Sequence, residues 1–322
     1  MSLINMHHLM FDYLLLVGGL ILLFVGGEGT LRGALHLSKN FKISKFFVSA
    51  IIIGFGTSLS ELTVSIGAVL QGKTDLALGN IIGSNTANIL FVFALAILIS
   101  PMATKVMKNK RDLNVLIIVT LVFMLFKIFD FLNFLTGILF LVLLFTYVFV
   151  SYRLDKREQK KVAHLEEDHG IKKALPVSVS FLICFGGLAA LISGSNLLIL
   201  AANVIALRFG ISEATIGLTV VAVGTGLPEL TACIIASLKR HYDMVIGNII
   251  GSNIFNILGI LGGTLLFGNI PVSEELMQSG IIIMLFATMI FSALFYAATK
   301  IHRFLGFFLL STYIGYLVFL FQ

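Results

Sequence analysis

The chain has 322 residues, of which 58% are hydrophobic and 12% are charged, and its formal net charge is +6. A soluble domain usually carries about twice that fraction of charged residues, so the composition excludes an ordinary soluble protein. Apolar runs long enough to cross a bilayer recur from end to end. They predict an all-α integral membrane protein whose main partner is the lipid bilayer.

Ten membrane-spanning helices are predicted along the chain. Each contains roughly the 20 apolar residues that a helix needs to cross the hydrocarbon core. The first is interpreted as a span and not as a removed signal peptide, because no small-residue cleavage site follows it. In chain order the predicted spans are 11–31, 46–70, 76–99, 113–129, 132–151, 177–202, 213–237, 244–267, 278–298 and 304–321.

Basic residues are concentrated in the loops that follow odd-numbered spans. Of the 22 lysines and arginines, only Lys73, Lys127 and Arg208 lie elsewhere. Because positively charged loops stay in the cytoplasm, these loops are predicted to be cytoplasmic and both termini to lie outside. This anchoring accounts for the net charge, so the sequence gives no reason to expect nucleic-acid binding. The predicted location is the cell membrane, as a multi-pass protein.

The sequence contains an internal repeat in which two motifs recur at the same displacement. GTSLSELT at 56–63 matches GTGLPELT at 224–231, and GNIIGSN at 79–85 recurs at 247–253. The first motif lies in the second predicted span and its copy in the seventh. Because an odd number of crossings separates them, the two copies enter the membrane in opposite directions.

This arrangement predicts two inverted-topology repeats of five helices each, at 1–151 and 176–322. A charged cytoplasmic linker, 152–175, joins them. The linker is too short to build a domain with its own core, which favours a solvated hinge or an extension of the fifth helix.

Two glutamates, Glu61 and Glu229, occupy matching positions in the repeat and fall near the middle of their predicted spans. A charged side chain at this depth costs about 2.5–3.5 kcal/mol on insertion scales. A protonated pair that holds helices together is the structural alternative, but Thr57, Ser58 and Thr225 add hydroxyls about one turn before the acids. Inverted repeats place substrate sites near the bilayer midplane, so a polar site is predicted there.

The second motif of each repeat adds further oxygen atoms, from Ser84 and Asn88 and from Ser252 and Asn256, each pair four residues apart. An all-oxygen site with two carboxylates suits a hard cation. Calcium tolerates irregular geometry whereas magnesium demands an octahedron, so calcium fits better. One calcium ion would neutralise both carboxylates, as would two protons or two sodium ions. Competition among these ions is a route to exchange that needs no ATP.

No motif for enzymatic chemistry is visible: the chain has no Walker-type loop, catalytic triad or zinc-spaced histidine cluster. We therefore predict a protein that is not an enzyme, uses no cofactor and has no obligate protein partner. The two cysteines, Cys184 and Cys233, lie within predicted helices and are interpreted as packing residues. Glu28, in the first span, is predicted either to face an ion pathway or to reach the cytoplasmic interface.

The two motifs resemble the alpha-repeats of the cation/calcium exchanger superfamily, specifically prokaryotic sodium/calcium exchangers. The resemblance implies a ten-helix antiporter in which the first and sixth helices slide across the site. It also implies that calcium is bound by Glu61, Glu229 and the carbonyls of Thr57 and Thr225. The residues implied for sodium are Gly54, Thr57, Ser58, Glu61, Ser84, Asn88, Ala222, Thr225, Glu229, Ser252 and Asn256.

Three positions depart from that family pattern. Ser60 replaces the usual proline, so the helix break before the first glutamate should depend on Gly54 and Gly56. Gly226 replaces the serine that would match Ser58, which removes a hydroxyl from the second repeat. Asn256 stands where many members carry aspartate, and because an amide cannot be protonated this change argues against potassium coupling.

The leading interpretation is a secondary antiporter that expels calcium against inward sodium. A proton-coupled calcium exchanger using the same site is the alternative, favoured by the hydroxyl missing at Gly226. A cation channel is a further rival, although inverted repeats suit alternating access better. The paired mid-span acids disfavour a membrane scaffold, and an intramembrane protease would need catalytic residues that the sequence lacks.

Overall fold

The computed structural model describes residues 3–103, 110–162, 174–208, 222–270 and 274–320, which are almost entirely helical. The predicted start of the seventh span and residues 163–173 of the predicted linker lie outside this part of the chain. In the first half the helices are α1 (Leu3–Phe41), α2 (Lys45–Val48), α3 (Phe55–Thr57), α4 (Leu59–Leu70), α5 (Thr74–Ala87), α6 (Phe93–Ile99), α7 (Arg111–Ile128) and α8 (Phe134–Val162).

In the second half the helices are α9 (Val177–Arg208), α10 (Ala222–Thr225), α11 (Leu227–Leu238), α12 (Tyr242–Phe255), α13 (Gly262–Leu265), α14 (Glu274–Ala297) and α15 (Arg303–Leu320). Single π-helical segments join α2 to α3 (Ser49–Gly54), α5 to α6 (Asn88–Val92) and α12 to α13 (Asn256–Leu261). Two short strands, β1 (Met102–Ala103) and β2 (Lys300–Ile301), pair antiparallel.

Within the described ranges, seven segments are long and apolar enough to cross a membrane, and two shorter apolar helices accompany them. The predicted all-α membrane fold is therefore confirmed, while the number of ten spans stays a prediction. The long segments are Asp12–Phe41, Lys45–Leu70, Thr74–Ile99, Phe134–Lys160, Val177–Leu207, Tyr242–Leu265 and Gly280–Ala297; the shorter ones are Leu227–Leu238 and Arg303–Phe319.

The helices that extend furthest beyond the predicted ends of their spans are α1 and α8. The first helix continues to Phe41, about three turns beyond the predicted end at residue 31. Polar and basic residues occupy that extension, so hydropathy marked where the apolar stretch ends and not where the helix ends. Helix α8 likewise continues to Val162, into the segment predicted as a linker.

The segments that carry the first motif are interrupted helices. The break between α3 and α4 lies at Ser58, where φ is −75° and ψ is 6°. The matching break between α10 and α11 lies at Gly226, with φ −86° and ψ 0°. The first break thus falls one turn after Gly54, which lies inside the π-helical segment. The interruptions leave the following glutamates at the start of new helices.

Helix α12 lies at the centre of the molecule, and its apolar segment is entirely buried. It packs backbone to backbone against α2 and the π-helical segment that follows it. A Cβ added to Gly251 would lie 2.0 Å from the Ala50 carbonyl oxygen, and one on Gly247 would lie 2.5 Å from that of Phe46. Only glycine allows this approach, which fixes the second motif of one repeat against the other repeat.

Helices α1 and α9 cross along a seam of glycines, which we call the glycine seam. A Cβ on Gly26 would lie 2.6 Å from the Leu191 amide nitrogen, and one on Gly187 would lie 2.3 Å from that of Thr30. The two backbones are therefore in direct contact. The seam consists of residues seven apart on each helix: Gly19, Gly26 and Gly33 on α1, and Gly187 and Gly194 on α9.

Candidate functional site

Glu61 and Glu229 lie in the first turns of α4 and α11, immediately after the two helix breaks. Each side chain is only 1% exposed. Ser58, three residues before Glu61, hydrogen-bonds Glu229 at 3.0 Å, and Ser60, next to Glu61, lies 3.2 Å from the Thr225 carbonyl oxygen of the other repeat. The structure thus brings the two sequence-matched acids together in the interior, at the meeting of the two repeats.

The hydroxyl of Ser58 connects the repeats at this point. Ser58 Oγ donates a hydrogen bond to Glu229 Oε1 at 3.0 Å, and both residues are buried. The other carboxyl oxygen of Glu229, Oε2, is buried and has no hydrogen-bond partner among the residues that the structure describes. Gly226 occupies the position equivalent to Ser58, so the second repeat has no corresponding hydroxyl to give Glu61.

Ser60 contacts Glu61 instead. Its Oγ lies 3.0 Å from Glu61 Oε2, 3.0 Å from the Thr57 carbonyl oxygen and 3.2 Å from the Thr225 carbonyl oxygen. From the sequence, Ser60 was predicted only to replace the usual proline and was not predicted to lie in the site. The sequence did contain a signal for this role, because Ser60 places a hydroxyl next to the acid at the position that Pro228 occupies in the other repeat.

Of the other residues implied for sodium, several surround the Gly54 carbonyl. Ser252 Oγ donates to this oxygen at 3.1 Å, and Thr57 Oγ1 lies 3.2 Å from it. Thr57 Oγ1 also lies 3.0 Å from the Ile53 carbonyl oxygen, so its hydroxyl serves its own helix. The side chain of Ala222, which would occupy the matching place in the second repeat, lies outside the described part of the structure.

Several asparagine side chains lie in the buried part of the motif helices. Asn88 and its repeat counterpart Asn256 differ in their hydrogen bonds. Asn88 Nδ2 donates to Asn253 Oδ1 at 3.0 Å, and Asn253 Nδ2 donates to the Asn85 carbonyl oxygen at 3.4 Å. Asn256, the counterpart of Asn88, is fully buried, and neither of its amide atoms has a partner in the described residues. Asn85 and Asn253 were missed as site neighbours because their contacts cross between repeats. Ser84 is partly buried.

Asn80 and Asn248 connect the second motif of each repeat to the helix that carries the glutamate. Asn80 Nδ2 donates to the Glu61 carbonyl oxygen at 3.1 Å and to Ser65 Oγ at 2.9 Å. At the matching place Asn248 Nδ2 lies 3.2 Å from Cys233 Sγ. Cys233 is a free, fully buried thiol within the packing of α11 and α12, as is expected of a packing residue.

Glu28 lies outside the glutamate site. Its carboxylate forms an ion pair with Lys239, which follows α11, and both side chains are partly exposed. This contact places Glu28 beside the loop that follows α11, which the basic residues predict to be cytoplasmic. It also connects α1 to the second repeat.

The site offers oxygen atoms of several kinds but few ionisable groups. The described ranges contain no cluster of three or more His, Cys, Asp or Glu side chains suited to a metal ion. A cation bound between Glu61 and Glu229 would therefore depend on hydroxyl and backbone carbonyl oxygens to complete its coordination. Calcium and sodium, which accept irregular sets of oxygen ligands, suit such a site.

Known proteins resemble this chain along almost its whole length. A family model described as sodium/calcium exchanger protein matches residues 11–153 and again residues 179–322. The putative antiporter CaxA of Alkalimonas amylolytica is 35% identical over 308 residues, 94% of this chain and 97% of CaxA. Sodium/calcium exchanger MaX1 of Methanosarcina acetivorans is 28% identical over 96% of this chain and 98% of its own length.

Solved structures show the same similarity at the level of the fold. The sodium-calcium exchanger NCX_Mj, in crystals soaked with 2.5 mM Na⁺ and 0.1 mM Sr²⁺, superposes with a TM-score of 0.83 at 27% identity. The alignment covers 96% of this chain and 99% of NCX_Mj. NCX_Mj soaked without Na⁺ and Ca²⁺ gives a TM-score of 0.82 at 28% identity, over 97% and 99% of the two chains.

Proposed function

The chain belongs to the sodium/calcium exchanger family, and from this premise we propose that it expels Ca²⁺ from the cell against inward movement of Na⁺. Both ions would bind in turn between Glu61 and Glu229. The observation that carries the proposal is the buried carboxyl pair, one group from each repeat, at the helix breaks.

Charge balance supports a cationic substrate. Two carboxylates in a bilayer interior are costly unless positive charge compensates them. In the described part of the chain neither glutamate forms an ion pair, and Glu229 Oε2 has no hydrogen-bond partner. A divalent cation between the two groups would neutralise both. Two sodium ions or two protons would do the same, so the ions compete for one pair of charges.

The chemistry of the surrounding atoms favours calcium over magnesium. The carbonyls of Thr57 and Thr225 and the hydroxyl of Ser58 lie around the pair, as the contacts of Ser58 and Ser60 show. Together with the two glutamates, these groups come from the short helices α3, α4, α10 and α11 and from the break at Ser58, so no single rigid element imposes an octahedron on them. Calcium accepts six to eight oxygens in such arrangements, whereas magnesium retains its waters.

Alternating access would come from the pair α1 and α9. These helices are joined by the glycine seam and lie beside the broken helices, and the Glu28–Lys239 ion pair ties α1 to the second repeat. Movement of this pair across the site would expose the glutamates to one side of the membrane and then to the other.

Proton coupling is the alternative, and the side chain missing at Gly226 favours it, because that position offers no hydroxyl to a sodium ion. The same glutamates would then exchange one calcium ion for protons.

Calcium uptake into proteoliposomes tests both proposals. Vesicles loaded with sodium should accumulate Ca²⁺ well above a sodium-free control, and uptake driven by a pH gradient alone would instead establish proton coupling. Glu61→Gln and Glu229→Gln should each abolish uptake, because one carboxylate cannot balance a divalent ion. Asp75→Asn, which neutralises an exposed acid on α5, should leave it unchanged. Wild-type flux in either glutamine variant would refute the assigned site.

A further inference from the structure

Ser60 has more acceptor neighbours than its one proton can serve. Its Oγ lies within 3.0–3.2 Å of Glu61 Oε2 and of the carbonyl oxygens of Thr57 and Thr225. A hydroxyl donates one hydrogen bond, so at least one of these oxygens faces the Ser60 oxygen with no proton between them. Oxygen lone pairs held together in this way repel one another, unless a positive charge sits among them.

The spacing of these atoms is that of neighbouring ligands around one cation. Calcium binds oxygens at about 2.3–2.6 Å, which places adjacent ligands roughly 3 Å apart. The three contacts of Ser60 Oγ fall at that separation, and the three partners are the oxygens that the proposed calcium site already uses. Ser60 Oγ is therefore placed to join the same coordination shell.

Comparison of the two repeats explains why a hydroxyl is needed here. Ser58 of the first repeat serves Glu229 of the second, but its counterpart Gly226 has no side chain to serve Glu61. Ser60 serves Glu61, and its counterpart is Pro228. Each glutamate thus has one serine hydroxyl, although the two hydroxyls come from positions that the repeat does not relate.

We propose that Ser60 Oγ is a calcium ligand that replaces the hydroxyl absent at Gly226. The inference rests on the proposed function, because it adds one ligand to the site between Glu61 and Glu229. The contact to Thr225 crosses between the repeats, so the same hydroxyl also ties the second repeat's carbonyl to the first repeat's glutamate.

Serine hydroxyls also bond carbonyl oxygens of the preceding turn for purely local reasons. The Ser60–Thr57 contact alone would fit that role. The contacts to Glu61 Oε2 and to the Thr225 carbonyl do not, because neither atom belongs to the backbone of the turn before Ser60. A local role predicts lower stability on removal of the hydroxyl, whereas a ligand role predicts weaker calcium binding.

Titration calorimetry of Ca²⁺ into the purified full-length protein, in sodium-free buffer, separates these roles. Ser60→Ala should raise the Kd for calcium about tenfold, as expected for the loss of one hydroxyl from a charged partner. Ser60→Thr keeps the hydroxyl and should bind within about twofold of the wild type. Thr63→Ala is the matched control, because the Thr63 hydroxyl lies one turn further on α4, is exposed and bonds only its own helix.

A double variant moves the hydroxyl to the other repeat. Gly226 has φ −86°, which accepts a side chain, and Pro228 shows that the position matching Ser60 accepts proline. Ser60→Pro alone should weaken calcium binding as Ser60→Ala does, and Ser60→Pro combined with Gly226→Ser should restore it. If the alanine variant does not insert into membranes, the proline variants carry the test.

The outcomes distinguish this inference from the proposed function. Unchanged calcium affinity in Ser60→Ala, with binding abolished in Glu61→Gln, would overturn the role of Ser60 and leave the exchanger site intact. A loss of thermal stability without a change in calcium affinity would assign Ser60 a local role and also overturn it. Normal binding by Glu61→Gln would instead refute the site itself.

Discussion

Asn256 is fully buried with both amide atoms unpartnered in the described structure, whereas its repeat counterpart Asn88 donates to Asn253. A buried polar group without a partner costs about 1–3 kcal/mol. Asn256 lies at the start of the π-helical segment after α12, on the helix that carries Ser252. The amide of Asn256 is available to a cation or to water at the site. We therefore expect this residue to lower the stability of the cation-free protein and to contribute to cation binding.

Asn256→Leu should therefore separate stability from function. Leucine has a branched shape similar to that of asparagine and lacks the unpartnered amide. The cation-free variant should therefore be as stable as the wild type or have a free energy of unfolding about 1 kcal/mol higher. Sodium-driven calcium uptake should fall. Thermal unfolding in detergent without cations, together with uptake in vesicles, measures the two effects.

Asn253→Leu is the control, because Asn253 accepts a hydrogen bond from Asn88 and donates one to the Asn85 carbonyl. It should lower the melting temperature. If Asn256→Leu destabilised the cation-free protein as much as Asn253→Leu does, the amide of Asn256 would have an unseen structural partner.

From the sequence, individual site residues could be predicted only where the internal repeat made them recognisable. Glu61 and Glu229 stand out because they match across the two halves, and Ser58 because it lies about one turn before Glu61; the structure brings these residues together. Ser60 could not be assigned by spacing, because its role depends on a contact to Thr225 in the other repeat. Which acceptor a hydroxyl selects is a property of assembled helices and not of the local pattern.

Each broken segment combines a π-helical or irregular turn with a short helix, and hydropathy alone predicted continuous spans there. No proline marks the first break at Ser58, and the glycines that precede it lie within helical turns. The break is stabilised by tertiary contacts, among them the bond from Ser252 Oγ to the Gly54 carbonyl. Such contacts are invisible to a pattern of apolar residues.

The two copies of GNIIGSN differ in their surroundings, although their sequences are identical. Gly247 is buried against the Phe46 carbonyl, whereas Gly79 is exposed, and no atom of the described residues lies within 4 Å of a Cβ added to it. Helix α12 therefore packs closely at the second copy. The segment related by the repeat to 46–50, at 214–218, lies outside the described residues.

Gly247→Ala and Gly79→Ala should consequently have opposite effects. The first forces α12 away from the α2 segment and should cost about 1–3 kcal/mol of stability. The second adds a methyl group to an exposed helical position, where alanine is preferred over glycine by roughly 1 kcal/mol, and should be neutral or stabilising. Melting temperatures of the two variants measure this. Equal losses would show that the first copy also packs tightly.

At the scale of the whole molecule, composition and hydropathy predicted the nearly all-helical membrane fold, which the structure and its relatives confirm. The helical structure follows from the same pattern, because inside a bilayer a helix satisfies the backbone hydrogen-bonding groups of its own segment. The orientation of the termini stays a prediction from the basic loops. Helix ends were predicted poorly at α1 and α8, because helices continue into water beyond the apolar stretch.

Cross-linking would show whether α1 and α9 move as one body. In a background with Cys184→Ala and Cys233→Ala, a disulfide between Gly29→Cys and Ile183→Cys should join α1 to α9 without stopping calcium uptake. A Cβ at Gly29 lies 3.5 Å from the Ile183 carbonyl oxygen, so there is room for the substitution. Uptake after oxidation measures the effect.

A disulfide between Gly27→Cys and Ile235→Cys, from α1 to α11, should instead block uptake until dithiothreitol is added. A Cβ at Gly27 would lie 2.4 Å from Ile235 Cδ1, an atom that the second substitution removes. If the link from α1 to α9 also blocked uptake, the two helices would have to move independently.

The unequal hydroxyls of the two repeats, with Ser58 matched by Gly226 and Ser60 by Pro228, have a consequence for the ancestry of the molecule. A symmetric dimer of identical half-length chains would carry the same residue at both equivalent positions, so it could not hold serine on one side and glycine on the other. Duplication of the half-length gene freed each copy to mutate alone, so the present arrangement of hydroxyls arose after the two copies had become separate sequences.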